Sequence, residues 1–329
     1  MTADDRWIDD LPGAVAVPVR AFADPHPPGA RARAQLAAQA VLALVEGWSG
    51  SDAALATAVD DLVAHLHSVG QTTLHQPGVR NMIDTVLAGG LEGTRDVVVA
   101  RMSAAYDAAS QAMAEATTAM SRAGVDLLSD GDRILVHDFA DRSTQAVVRR
   151  AADDGKYLTV VATACRSRRT DGIRVARESV AVGHDAVVVT DAGVGWAVGS
   201  MGLRLCLIGA DAILPDGSVL TTPGALTIAL VGQRSSVPVY VVTDLWKTMR
   251  EIPAELLALN MEEDPDGVPE ALDWKASGFG YRNPLVDIVP GDALTGIISE
   301  AGIIPPATVG RTAKDMYGIG VPNDEVVSE

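Results

Sequence analysis

The stretch LCLIGAD (205–211) decides the fold: four apolar residues suited to a strand buried on both faces run into Gly-Ala and stop on an acid. Three other runs have the same form. RILVHD (133–138) stops on Asp138, AVVVTD (186–191) on Asp191 and VPVYVVTD (237–244) on Asp244. From Gly131 onward such runs alternate with helical stretches at roughly the 20 to 30 residue repeat of βαβ units, which predicts a parallel sheet covered by helices. In a sheet of that kind the carboxyl ends of the strands face one crevice, so the four acids are expected to line a single ligand site.

The turn chemistry around these runs agrees with the pattern. Asp141 and Ser143 are placed to cap a helix that ends near Arg149 and Arg150, and Gly155 stops it. Strand two is read as YLTVVATA (157–164), and Thr222 followed by Pro223 is read as the cap and first position of the helix GALTIALVGQR (224–234). Upstream, ARARAQLAAQAVLALVEGW (30–48), SDAALATAVDDLVAHLHSVG (51–70) and GVRNMIDTVLAGG (78–90) carry helical periodicity, with Ser51 and Asp52 as caps. An Ala-rich helical run follows to about Ala123. The expected organisation is a helical N-terminal domain over 1–124 and a parallel-sheet domain over 125–329, with the boundary near Gly124.

Composition bounds the partners. The chain has 329 residues, 48% of them hydrophobic, enough for a large core. Its 26 Lys and Arg stand against 43 Asp and Glu, and the resulting net charge of -17 repels nucleic-acid backbones and anionic lipid. Neither nucleic acid nor membrane is expected as a partner. The opening MTADDRWIDD lacks the basic start and apolar stretch of a signal peptide, and no apolar run approaches the roughly 20 residues of a membrane helix, so a cytoplasmic location is expected. Cys165 and Cys206 are too few for a disulfide framework or a zinc cluster. The glycines of DAGVGWAVG (191–199) lack the full dinucleotide spacing, so no cofactor and no metal are expected.

The segment GADAILPDGSV (209–219) resembles the signature of the family that holds methylthioribose-1-phosphate isomerase, ribose-1,5-bisphosphate isomerase and the regulatory subunits of eukaryotic initiation factor 2B. Other pieces stand in the family's order: DGDRILVHD (130–138), a TxxR loop at Thr163 to Arg166, VVVTDAGVGWAVG (187–199), VPVYVVTDLWK (237–247) and NPLVDIVPGDALTGIISEAGIIPP (283–306). The resemblance runs from about Arg80 to Pro306. It implies a helical N-terminal domain, a Rossmann-like C-terminal domain and a homodimer formed through the C-terminal domains.

What the resemblance implies for the site is taken residue by residue. The family's isomerases pair a cysteine after strand one with the aspartate of the GAD strand; Asp211 matches that aspartate, while the cysteine position falls on Asp138. The isomerases' Asn-Lys pair is replaced by Thr221 and Thr222, and TACRSRR (163–169) stands where TESRP is usual. Two carboxylates can still share the work of moving a proton between carbons, because repulsion and burial leave one as acid and the other as base. Asp211 and Asp138 are therefore the candidate acid/base pair. Arg166, Arg168, Lys247, Arg142, Ser143 and Arg80 are the candidate ligands of an anionic substituent, with Thr144 beside Ser143 at the same helix start. For Asp191 and Asp244 the expectation is capping or acceptance of backbone N–H groups, and His137 is read either as a proton shuttle or as a satisfied half-buried residue. Two functions remain open on these residues: an aldose-ketose isomerase acting on a phosphorylated sugar-like molecule, and a non-catalytic sensor of sugar phosphates or nucleotides.

Overall fold

The computed structural model of the chain describes residues 5–24, 29–68, 77–137, 143–165, 171–252, 284 and 286–319. Two compact units divide it, Met1–Glu115 and Ala116–Glu329.

The N-terminal unit is helical. Its helices are α1 (Gly13–Phe22), α2 (Ala30–Glu46), α3 (Asp52–Ser68), α4 (Pro77–Leu87) and the greater part of α5 (Arg95–Val125). The apolar stripe of α2, formed by Ala34, Ala37, Ala38, Val41, Leu44 and Val45, is buried, and α2 packs against α1 and α4. Ser51 caps α3 by accepting the Ala54 N–H at 3.3 Å. Helix α1 was not anticipated, because Pro18 sits inside it and breaks the sequence signal, yet Pro18 is buried with Val15, Val19 and Phe22.

The C-terminal unit is built on a seven-stranded sheet of order β10-β9-β7-β4-β1-β2-β3. The strands are β1 (Arg133–His137), β2 (Thr159–Thr163), β3 (Asp185–Val189), β4 (Leu205–Ile208), β7 (Val239–Val242), β9 (Gly296–Ser299) and β10 (Gly302–Ile304). All neighbours are parallel except β10, which returns antiparallel on β9. Ile134, Val136, Val160, Ala162, Leu205 and Leu207 bury one face with Val147, Val148 and Ala151 of α6 (Ser143–Asp153) and Val175 of α7 (Asp171–Ala181). Leu135, Val161, Cys206, Ile208 and Val241 are buried on the other, so the central strands are covered on both sides, as a parallel sheet requires. The exception is the edge strand β3, where Val187 is 41% and Val188 45% exposed.

The strand order contains one reversal of direction. From β1 the chain moves outward through β2 and β3, then returns to the other side of β1 as β4 and moves outward through β7 and β9. The direction reverses between β1 and β4. In open α/β sheets that reversal opens a crevice at the carboxyl ends of the two strands.

A second, three-stranded antiparallel sheet follows the end of β4: β5 (Ala212–Ile213), β6 (Val219–Thr221) and β8 (Asp287–Val289). The GADAILPDGSV segment folds as its hairpin, closed by the Leu214 N–H to the Ser218 carbonyl at 2.8 Å and turning at Gly217 with φ +84°. Helix α8 (Val194–Ser200) follows β3, and α9 (Ala225–Ser235) follows β6. The start of α9 corrects the sequence reading, since Thr222 and Pro223 lie before the helix and Thr222 is fully buried. The residue preceding α9 is Gly224, at φ +110°, and the cap comes from far along the chain. Asp287 Oδ2 accepts the Gly224 N–H at 2.8 Å and the Leu226 N–H at 3.1 Å. Among the described residues no helix is long and apolar enough to cross a membrane.

Candidate functional site

His137 closes β1 at the centre of the sheet and is buried to 1% exposure. Its Nδ1 lies 2.6 Å from Thr163 Oγ1 at the end of β2, and its Nε2 lies 3.4 Å from the Thr222 carbonyl. Burial pulls the imidazole pKa below its ordinary value, against the Thr222 hydrogen bond and the charges of Asp191 and Asp287, which pull it up. A neutral ring with a carbonyl at Nε2 carries its proton there, so the Thr163 hydroxyl donates to Nδ1. Both nitrogens are engaged. Of the two sequence readings, the geometry supports a satisfied structural histidine, with Gly224 close against the ring: a Cβ there would lie 3.1 Å from His137 Cε1.

Asp211 follows β4, on the other flank of the reversal. Its backbone N–H donates to the Leu220 carbonyl at 2.8 Å, which ties the residue to the hairpin, and the side chain is half-buried. Beside it, Lys247 is buried to 4% exposure on the 3-10 turn Leu245–Lys247, and its Nζ donates to the Ala210 carbonyl at 2.8 Å. Lys247 and Asp211 are thus brought to the same strand end. Thr221 Oγ1 donates to the Gly209 carbonyl at 2.8 Å, so the residue at the family's Asn position is spent on holding the start of the GAD segment.

Ser143 is buried at the first position of α6. Arg80 lies exposed on α4 in the N-terminal unit. Asp138, Arg142, Arg166 and Arg168 lie outside the described residues.

Of the other strand-end acids, Asp191 accepts a backbone N–H as expected, whereas Asp244 does not cap the turn it precedes. Asp191 Oδ1 accepts the Cys165 N–H at 2.8 Å, which holds buried Cys165 at φ +52°, a left-handed conformation costing roughly 1–2 kcal/mol for a residue with a Cβ. Asp244 precedes the turn Leu245–Lys247 but makes no side-chain cap bond. Burial pushes the Cys206 thiol up to about 12, which keeps it protonated and inert.

The hydroxyls of Thr222 and Thr243 and the carboxylate of Glu300 escaped the sequence as site groups. Thr144, a candidate from the sequence, and Thr222 and Thr243 are buried, and among the described residues their Oγ1 atoms have no hydrogen-bond partner. They come from the start of α6, the end of β6 and the end of β7. Glu300, directly after β9, accepts the Leu245 N–H with both carboxylate oxygens at 3.1 Å. Burial first and the nearby Asp244 charge second push its carboxyl up to about 7. A threonine after a strand and a glutamate after another carry no periodicity signal, so only the tertiary structure exposes them. Among the described residues no group of three or more His, Cys, Asp or Glu side chains converges as a metal site.

Known proteins share this architecture. The chain is 31% identical over 184 residues to the ribose 1,5-bisphosphate isomerase of Methanocaldococcus jannaschii, covering 56% of this chain and 58% of that protein. It is 27% identical over 252 residues to the methylthioribose-1-phosphate isomerase of Albidiferax ferrireducens, covering 74% and 66%. The matched stretches therefore span less than two thirds of either relative's length. The crystal structure of the translation initiation factor eIF-2B of Pyrococcus horikoshii superimposes with a TM-score of 0.71 at 26% identity, over 90% of this chain and 98% of that one. A profile of the initiation factor 2 subunit family matches residues 28–306. With most of its length under that profile, the chain belongs to the initiation factor 2 subunit family.

Proposed function

We propose that this chain is an isomerase of a phosphorylated sugar, moving hydrogen between C1 and C2 by carboxylate acid/base chemistry. The observation that carries the proposal is the place of Asp211, on the β4 flank of the sheet's reversal, with buried Lys247 bonded to the carbonyl of the residue before it. Asp138 follows β1, the other flank, in sequence. In the proposed reaction the ring bond between C1 and O4 opens, one ionised carboxylate carries the proton from C2 to C1, and the other carboxyl gives a proton to the ring oxygen and recovers one from the O2 hydroxyl, which becomes the ketone. No group is consumed. Lys247, Ser143, Arg142, Arg166 and Arg168 are proposed to hold the phosphate, and the buried hydroxyls of Thr144, Thr222 and Thr243 to meet the sugar's own hydroxyls. Leaving such hydroxyls unpaired costs about 1–3 kcal/mol each, a cost a polar ligand offsets. The engaged ring of His137 leaves the proton transfers to the carboxylates. The relatives named as isomerases support the reaction class.

A non-catalytic sensor is the second reading, favoured by Thr221: its hydroxyl is committed to the Gly209 carbonyl where the isomerases carry Asn. NMR of the full chain with ribose 1,5-bisphosphate and with methylthioribose 1-phosphate separates the two. A ketose signal is expected, falling at least about a hundredfold in Asp211→Asn with binding retained, as loss of a general base implies. Binding without any ketose would overturn the isomerase in favour of the sensor.

We further propose a homodimer joined through the C-terminal units. Exposed Val187 and Val188 on the edge strand β3 and Trp196 of α8, 62% exposed, support it.

A further inference from the structure

We propose that Glu300 is a positioning residue of the crevice, whose ionised carboxylate fixes the turn that carries Lys247 to the Ala210 carbonyl. Glu300 stands one strand away from that turn, at the end of β9, while the turn follows β7. Its two carboxylate oxygens share the Leu245 N–H, the first amide of the turn, at 3.1 Å each. The turn then closes on itself through the Lys247 N–H to the Asp244 carbonyl at 3.3 Å and the Thr248 N–H to the Leu245 carbonyl at 3.1 Å. At its far side it is joined to the GAD hairpin twice. Lys247 Nζ reaches the Ala210 carbonyl, and the Met249 N–H donates to the Ile213 carbonyl at 2.8 Å. The Glu300 carboxylate is therefore connected to Asp211 by two hydrogen bonds, at Leu245 and between Lys247 and Ala210, with the backbone of the turn and of the GAD segment between them.

Helix α10 (Val309–Tyr317) holds the acid from outside. The Tyr317 ring packs on Trp246 of the turn with centroids 4.8 Å apart, and its phenol acts on Glu300 in the direction that favours the ionised carboxylate. Among the described residues the ionisable groups that bear on Glu300 are Asp244 from the turn and Tyr317 from α10. Burial and the Asp244 charge together make the carboxyl a weaker acid, with half-protonation near neutral pH, and the same surroundings push the Tyr317 phenol up. A protonated carboxyl is a poorer acceptor for Leu245, since charge-assisted bonds are roughly twice as strong as neutral ones. The turn is thus held firmly above neutrality and loosely below it. Under the isomerase reading, on which the functional part of this proposal rests, that loosening weakens the grip of Lys247 on a phosphosugar.

The test uses the full chain and its Glu300→Gln and Glu300→Ala variants, in two arms. In the ligand-free protein, the Leu245 amide and the Lys247 ammonium signals are followed by NMR from pH 5.5 to 8.5. Wild type is expected to titrate with a midpoint near 7, and Glu300→Gln, which keeps an oxygen acceptor but no charge, is expected to be flat. In the second arm the Kd for ribose 1,5-bisphosphate is measured over the same range. Glu300→Ala is expected to bind at least about tenfold more weakly at pH 8, with Glu300→Gln intermediate, and the wild-type advantage is expected to vanish by pH 6, after the ligand's own ionisation is cancelled between variants. Flat wild-type signals at Leu245 and Lys247, or equal affinities for all three proteins at pH 8, would overturn the positioning role. If wild type binds no phosphosugar, the isomerase reading fails, while the first arm still decides the proposal.

Discussion

Removing the carboxylate of Asp287 tests the link between the small sheet and the crevice. Asp287 Oδ2 takes the Gly224 and Leu226 amides at the start of α9, at 2.8 and 3.1 Å, and Gly224 in turn lies against His137. Losing a helix cap costs about 1–2 kcal/mol, a second amide left without its acceptor adds about 1 kcal/mol, and the charge at a helix start contributes about 0.5 kcal/mol. Asp287→Ala should therefore open the start of α9 by about 3 kcal/mol, whereas Asp287→Asn, which keeps an oxygen but no charge, should lose about 1 kcal/mol. Hydrogen exchange reads this locally, with no need for the two units to unfold together. At 1.36 kcal/mol per decade, the alanine variant should lose about a hundredfold of protection at the Leu226 amide, and the asparagine variant about fivefold. Unchanged protection at Leu226 in Asp287→Ala would mean that the cap contributes nothing and that α9 is held by its packing alone.

Gly224→Ala should lower stability by about 2 kcal/mol, because φ +110° is strained for alanine and the new methyl meets the His137 ring at 3.1 Å; urea unfolding of the purified variant measures it. The two perturbed groups give opposite pH responses. His137, with its pKa pulled down, makes the folded state take fewer protons, so its stability contribution is complete above about pH 6.5 and is lost as pH falls. Glu300, with its carboxyl pushed up to about 7, makes the folded state hold an extra proton, so stability is lost as pH rises from the usual carboxylate range toward 7. Between these limits the two largely cancel, so Glu300→Gln should lose about 1 kcal/mol more than wild type on going from pH 6.5 to 5.5; unfolding curves at the two pH values decide it. Lys247→Met keeps volume but removes the bond to Ala210, which should weaken phosphosugar binding by at least about tenfold in calorimetry while costing about 1–2 kcal/mol of stability. Trp196→Asp should leave the fold intact and shift sedimentation toward the monomer.

Five strands of the large sheet, β1, β2, β3, β4 and β7, were legible because they are short apolar runs punctuated by acids and glycines, and burial on both faces makes such runs continuous rather than alternating; β9 and β10 were not read. Ile134 to Val136 and Leu205 to Ile208 read correctly for that reason. The small sheet was not legible. Its strands are two or three residues long and β6 pairs with β8 across a long separation, Val219 with Val289, so no local window contains the signal. The same distance hid the cap of α9: Thr222 and Pro223 satisfy the local rule, but Asp287 supplies the acceptor. The place of Asp211 just after β4 was legible from the run that precedes it. Glu300 was not, because what distinguishes it is the Leu245 amide and the Asp244 charge, both brought by another strand.

The cap of α9 also sets an order of events during synthesis. The Asp287 carboxylate leaves the ribosome 63 residues after the amide it must reach, so α9 and the glycine beside His137 emerge before anything can close them. Until that acid arrives, a nascent chain can carry the parallel strands from β1 to β7 yet lack a finished floor beneath its central histidine. Translation itself therefore completes the start of α9 late, after most of the scaffold has been made.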